Sequence, residues 1–292
     1  MKKDMKIGFV GGDLRQIFCA IEFALLGFEV ALYGFEKYTD DIGLCTRSTC
    51  LDDTLEKADI IVLPIPSTSD GVNINTPYSD KCIRLCQVLD SARDCKLLLY
   101  GTGSKTEQLC RDFGINAVDF SKREDYQILN AGPTAEGALA IAINEMPKTI
   151  FDSTALCVGY GRIGKTLCRM LQSLGADVYA SARNPRDIAL AKSTGLKTVH
   201  TDNIPSVLPK CNLIFNTVPK TIIKDYSLDV IDKNALIIDL ASKPGGIDFK
   251  TAKQKGLNVI WALSIPGKTS PLSAGKILCD TIMEIMRENG LV

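Results

Sequence analysis

The sequence predicts an α/β fold of two parallel-sheet domains, on three observations. Apolar strand segments alternate with helical segments along most of the 292 residues, and that alternation builds parallel sheets covered by helices. A strand-turn-helix unit opens the chain, and a second begins near its middle, where Leu156-Cys157-Val158 runs into a glycine-rich turn. The length suits two units of about 120 to 150 residues each.

In the first half, Lys6 to Val10 reads as a strand, Gly11-Gly12-Asp13-Leu14-Arg15-Gln16 as a turn, and Ile17 to Leu26 as a helix ended by Gly27. Strands follow at Glu29 to Tyr33, Ile60 to Leu63 and Lys96 to Tyr100, with helices between them. This is the expected N-terminal α/β substrate domain, residues 1–130. Gly132-Pro133 marks a helix start, with Pro133 in the first turn where its missing N–H costs nothing. The resulting helix, 131–148, is expected to bridge the domains.

The second domain, 149–268, opens with Gly159-Tyr160-Gly161-Arg162-Ile163-Gly164 between a buried strand and the helix Lys165 to Leu174. In this dinucleotide-binding fingerprint Gly159 permits the tight turn, Gly161 lets backbone N–H groups approach a pyrophosphate, and Gly164 lets the helix pack on the strand. The fold class is therefore two Rossmann-like domains. The next strand, Asp177 to Ala180, runs into Ser181-Ala182-Arg183-Asn184-Pro185-Arg186. A carboxylate would suit the ribose of NAD there. Instead a hydroxyl and guanidinium groups stand at that place and predict NADP, the alternative being that both arginines are solvated loop charges. Strands at Leu213 to Thr217, Leu236 to Leu240 and Asn258 to Ile260 complete the domain. A last helix, Ser273 to Glu288 within 269–292, is expected to pack back on the first domain.

Lys plus Arg and Asp plus Glu each number 34. That balance gives no electrostatic support for binding nucleic acid or an acidic membrane. No apolar run approaches the roughly 20 residues that span a bilayer, and Met1-Lys2-Lys3-Asp4 leads into a strand rather than a signal segment, so a cytoplasmic protein is expected. The 11 cysteines lack framework spacing and are expected as reduced thiols. Cys82 and Cys86 form no CxxC pair and the sole histidine, His200, lies elsewhere, so no metal site is expected.

Five segments together, Gly11 to Gln16, Pro133 to Gly137, Gly159 to Gly164, Asp239 to Gly246 and Leu263 to Lys268, give the chain a resemblance to the A-subunit family of bacterial dipicolinate synthase over nearly its full length. The resemblance implies NADP-linked oxidation of dihydrodipicolinate, or of its hydroxylated tetrahydro precursor after loss of water, to the aromatic product. It further implies a partner, the flavoprotein-like B subunit of dipicolinate synthase, and the mother cell of a sporulating bacterium as location. Self-association stays open. Some members carry Arg where this chain has Lys243, which keeps the charge but not a bidentate fork.

Such a reaction needs hydride removal from a ring carbon, loss of a proton, and a grip on two carboxylates. Arg15 with Gln16 and, as candidate catalytic group, Lys243 could hold the carboxylates. Alternatively Arg15 is a helix-surface charge and Lys243 a turn residue. Thr134 and Glu136 are further substrate candidates, equally explained as a helix start. Thr217, Val218, Pro219, Ala241 and Ser242 follow later strands, where the nicotinamide end of a cofactor lies. Ser264 to Gly267 could cover the ring. Asp13 reads as a helix cap and His200 as structural. Two competing functions are a 2-hydroxy or amino acid dehydrogenase and a non-catalytic nucleotide-sensing component.

Overall fold

The computed structural model describes residues 5–292; the expectation for Met1 to Asp4 lies outside them. Two sheets form among the described residues, each of six parallel strands. The first contains β1 (Lys6–Val10), β2 (Glu29–Tyr33), β3 (Thr46–Arg47), β4 (Ile60–Val62), β5 (Leu97–Tyr100) and β6 (Ala117–Asp119). The second contains β7 (Thr154–Val158), β8 (Asp177–Ala182), β9 (Lys197–His200), β10 (Leu213–Asn216), β11 (Leu236–Asp239) and β12 (Asn258–Trp261).

Both sheets have the same order, β3-β2-β1-β4-β5-β6 and β12-β11-β10-β7-β8-β9. Each chain segment winds outward from the sheet centre, then returns to wind the other way. The reversal leaves a crevice beyond the carboxyl ends of the two central strands, the place where such sheets take ligands. Here the pairs are β1 with β4 and β7 with β10. The central strands are almost wholly buried, as strands covered on both faces must be.

The chain divides into two compact units, Met1–Asn130 with Pro266–Val292, and Ala131–Ile265. In the first, the C-terminal helix Pro271–Glu288 packs against the helix Leu14–Leu25, burying Leu278, Ile282 and Met286 in one core with Phe9, Ile17 and Phe23. Gly275 is required there: a Cβ would stand 2.6 Å from the Phe18 Cβ. In the second, residues such as Leu167 and Leu171 of the helix Arg162–Ser173 cover one face of the sheet, and Leu208, Leu228 and Ala252 cover the other.

Two local expectations are corrected. The helix carrying Pro133 runs from Glu124 to Glu145, so this proline lies in its interior. Pro133 cannot donate to the carbonyl of Leu129 four residues back, a residue that is solvent-exposed. The first helix begins at Leu14, which takes Arg15 and Gln16 out of the turn and into its opening positions. Among the described residues no helix is long and apolar enough to cross a membrane.

Candidate functional site

The turn after β7 is built on closely packed glycines. Gly159 sits at φ +95°, and its N–H donates to the Ser181 carbonyl at 3.1 Å. A Cβ on Gly159 would meet Thr217 Oγ1 at 2.5 Å, and one on Gly164 would lie 2.0 Å from the Gly159 carbonyl oxygen. Gly161 differs. A Cβ there would meet nothing within 4 Å, and the helix that it starts has no side-chain cap. Open space therefore faces an uncapped helix terminus, which favours an anion. The Tyr160 and Ile163 side chains turn into the core instead. Arg162 stays exposed.

Beyond β8 and β9 a cleft of about 550 Å³ is lined by Arg183, Thr201, Asp202, Val218, Pro219, Lys220 and neighbouring residues. Arg183 and Lys220 have no ion-pair partner among the described residues, whereas Lys224 in the same cleft lies 3.7 Å from Asp225. Ser181 is buried and shares a hydrogen bond of 3.2 Å with Thr201. Asn184 caps the helix Pro185–Ser193 by accepting from the Arg186 N–H at 2.8 Å. His200 Nδ1 accepts from the Asp202 N–H at 3.3 Å, capping a turn.

The loops after β10 and β11 are joined by a buried polar network. Asn216 donates its amide to Asp239 Oδ1 at 2.7 Å and to the Val218 carbonyl at 3.0 Å. Thr217 donates to the Val158 carbonyl at 3.0 Å, tying these loops to the fingerprint strand. Ala241 is buried, while Ser242 and Lys243 stand exposed at the loop's tip. The expected cofactor residues thus converge on the carboxyl ends of β7, β8, β10 and β11.

The substrate candidates are placed differently. Arg15 is only 4 % exposed, and its fork closes on Asp13 through Nε–Oδ1 at 2.9 Å and Nη2–Oδ2 at 2.7 Å. Nη2 also donates to the Ile65 carbonyl at 3.0 Å. Burial by itself would lower the Arg15 pKa, but hydrogen bonding and the charge of Asp13 outweigh it and raise it. The guanidinium is thus already matched to a carboxylate within its own unit. Gln16 Oε1 accepts from the Asp13 N–H at 3.0 Å, completing a capping box. Its buried Nε2 has no hydrogen-bond partner. Thr134 is buried within its helix and Glu136 is exposed on it. Gly267 packs on the Asp13 carboxylate, where a Cβ would stand 2.5 Å from Oδ2.

From sequence, Asn216 and Asp239, each at the end of an apolar strand, receive no individual role, and Lys220 is not considered. One signal was available for the first two: a polar residue ending an otherwise apolar central strand must find buried partners. Among the described residues no cluster of three or more His, Cys, Asp or Glu could hold a metal.

Residues 6–121 match the family model for the N-terminal domain of the dipicolinate synthase A subunit. Residues 135–243 match the NAD-binding domain of D-isomer specific 2-hydroxyacid dehydrogenases. The dipicolinate synthase A subunit of Bacillus subtilis (strain 168) is 30% identical over 99% of this chain and 98% of its own length. The crystal structure of the A subunit from Bacillus halodurans superimposes with a TM-score of 0.88 at 27% identity, covering 98% of this chain and 99% of that one. The crystal structure of the Bacillus subtilis protein gives 0.86 at 29%, covering 99% and 98%. An oxidoreductase with a nicotinamide dinucleotide-binding domain accounts for the fingerprint geometry and for both matched segments. The chain belongs to the family of dipicolinate synthase A subunits.

Proposed function

We propose that the protein oxidises dihydrodipicolinate, or its hydroxylated tetrahydro precursor after loss of water, to dipicolinate during sporulation, using NADP and acting beside the flavoprotein-like B subunit. The observation that carries the choice of NADP is the pair of uncompensated cations, Arg183 and Lys220, lining the cleft at the end of the fingerprint. The residues present fit the cofactor, because open space at Gly161 and the adjoining cleft supply room for the pyrophosphate and adenosine portions.

When bound, such a cofactor supplies acceptance of a hydride from a substrate ring carbon. Gly161 admits the phosphates to the helix N-terminus. Arg183 and Lys220 hold the additional phosphate of NADP through charge and hydrogen bonds. Lys243, exposed at the tip of its loop, is the candidate that orients a substrate carboxylate. Of the two substrate candidates in the opening positions of the first helix, Arg15, matched to Asp13, is the weaker, and Gln16, with its unpartnered amide nitrogen, the better. Aromatisation favours release of the ring proton, so the site does not depend on a strong base.

Membership of residues 135–243 in the hydroxyacid dehydrogenase model favours a second reading, oxidation of a 2-hydroxy acid. That chemistry commonly employs a histidine base, and the one histidine here is spent capping a turn. The test is to supply the purified chain with enzymatically generated dihydrodipicolinate and NADP, with and without the second subunit, and to follow NADPH absorbance. Turnover by this chain supports the proposal. NADH formation from 2-hydroxy acids alone would replace it, and turnover requiring only the other subunit would leave this chain a nucleotide sensor.

A further inference from the structure

Asp239 is a fully buried carboxylate with no ion-pair partner among the described residues. It ends β11 and accepts three N–H bonds: from Ala241 at 3.0 Å, Gly246 at 2.7 Å and the Asn216 amide at 2.7 Å. Ala241 and Gly246 bracket the loop that exposes Ser242 and Lys243. The carboxylate therefore pins both ends of this loop to the strand that precedes it, and through Asn216 to the loop after β10.

Two glycines make room for it. A Cβ on Gly245, at φ +84°, would stand 3.0 Å from Asp239 Oδ2, and one on Gly246 would stand 2.1 Å from Asn216 Nδ2. The Gly246 carbonyl in turn accepts from the Ile222 and Ile223 N–H groups at 2.9 and 3.1 Å. From the far side the Trp261 indole N–H donates to the Ala241 carbonyl at 2.9 Å, while its ring stacks on Phe249 at 4.7 Å.

We propose that Asp239 is a positioning residue for the nicotinamide end of the site, holding the 241–246 loop in one conformation without touching ligand, with Trp261 as its second brace. A carboxylate is needed because every neighbour aimed at it is a donor; an amide would turn two hydrogens toward donors on at least one side. The inference rests on the reading that this loop meets the cofactor. It also makes Trp261, the single tryptophan of the chain, a reporter of loop order.

The test compares the unaltered protein with Asp239→Asn and the milder Asn216→Ala by calorimetric titration with NADP and with 2′,5′-ADP, and by Trp261 emission. Loss of one charge-assisted buried bond corresponds to a weakening of about tenfold. Asp239→Asn is expected to weaken NADP by about that factor, leave 2′,5′-ADP within about twofold, and shift Trp261 emission to the red. Asn216→Ala, which removes one bond of three, is expected to show the same pattern more weakly and serves if Asp239→Asn does not fold. Equal weakening of both probes would make Asp239 a general structural residue and overturn the proposal, as would unchanged NADP affinity with unchanged emission. If the unaltered protein binds neither probe, the cofactor reading fails instead, and Trp261 emission then decides whether Asp239 holds the loop.

Discussion

The two sheets share one strand order, yet their central crevices are finished in opposite ways. After β7 the turn is Gly159-Tyr160-Gly161, with open space at Gly161 and no side-chain cap on the helix. After β1 it is Gly11-Gly12-Asp13, and the equivalent helix terminus is closed by the reciprocal bonds of Asp13 and Gln16. A Cβ on Gly12 would meet the Gln16 side chain at 2.6 Å, and one on Gly11 would meet Thr76 at 2.7 Å. A capping box occupies the helix terminus in the first unit, whereas the second unit leaves its terminus bare, the arrangement that favours an anion. A shared topology therefore offers the crevice, and the cap decides what enters it.

The largest expected effect lies in the closed turn. Asp13→Ala strips Arg15 of its bidentate partner and leaves a guanidinium buried beside Tyr126 and the Ile65 carbonyl, with no carboxylate on it. Removing one member of a buried pair costs about 3 to 5 kcal/mol. Urea unfolding should register a loss of that size, and a loss below about 1 kcal/mol would mean that water reaches Arg15. Gly161→Val comes next and acts on the open turn. A branched side chain in the open space at Gly161, where the proposal puts phosphate, should weaken NADP about hundredfold, or about 2.8 kcal/mol, with little change in Tm. Normal binding would move the anion away from this terminus and undo the contrast between the two turns.

Much of this contrast is legible in the amino-acid sequence. The fingerprint, the central strands and the capping role of Asp13 follow from glycine spacing and apolar runs. The edge strands β3, β6 and β9 do not, because they lack an apolar run: Thr46 and Arg47 are both exposed, and Val199 alone is buried in β9, whereas the fourth edge strand, β12, announces itself by Val259-Ile260. The burial of Arg15 is also illegible there. It depends on Gly267 and on the Ile65 carbonyl, which tertiary folding brings from distant parts of the chain. The helix through Pro133 misleads for a related reason. Proline signals a helix start by local cost, but the helix Glu124–Glu145 runs through Pro133 all the same.

A smaller effect distinguishes the two nucleotides within the open site. Arg183→Asp replaces an unpaired guanidinium lining the cleft with a carboxylate. NADP should weaken about thirtyfold, or about 2 kcal/mol, while NAD stays within about threefold. Equal loss for both, measured by calorimetry, would detach Arg183 from phosphate recognition and leave the fingerprint as a site without preference.

The smallest effect expected belongs to Lys220. Its flexible ammonium is a solvated point charge rather than a planar fork, and it stands exposed on the loop after β10. Lys220→Ala should weaken NADP about fivefold, or about 1 kcal/mol, and leave NAD unchanged. Because exposed charges are screened beyond about 8 Å at physiological ionic strength, the difference should shrink as salt rises, whereas that of Arg183→Asp should shrink less if its fork bonds the phosphate directly. Two salt titrations thus separate a cation that grips from one that only attracts. An effect of Lys220→Ala that does not change with salt would show that this lysine, too, makes a direct bond.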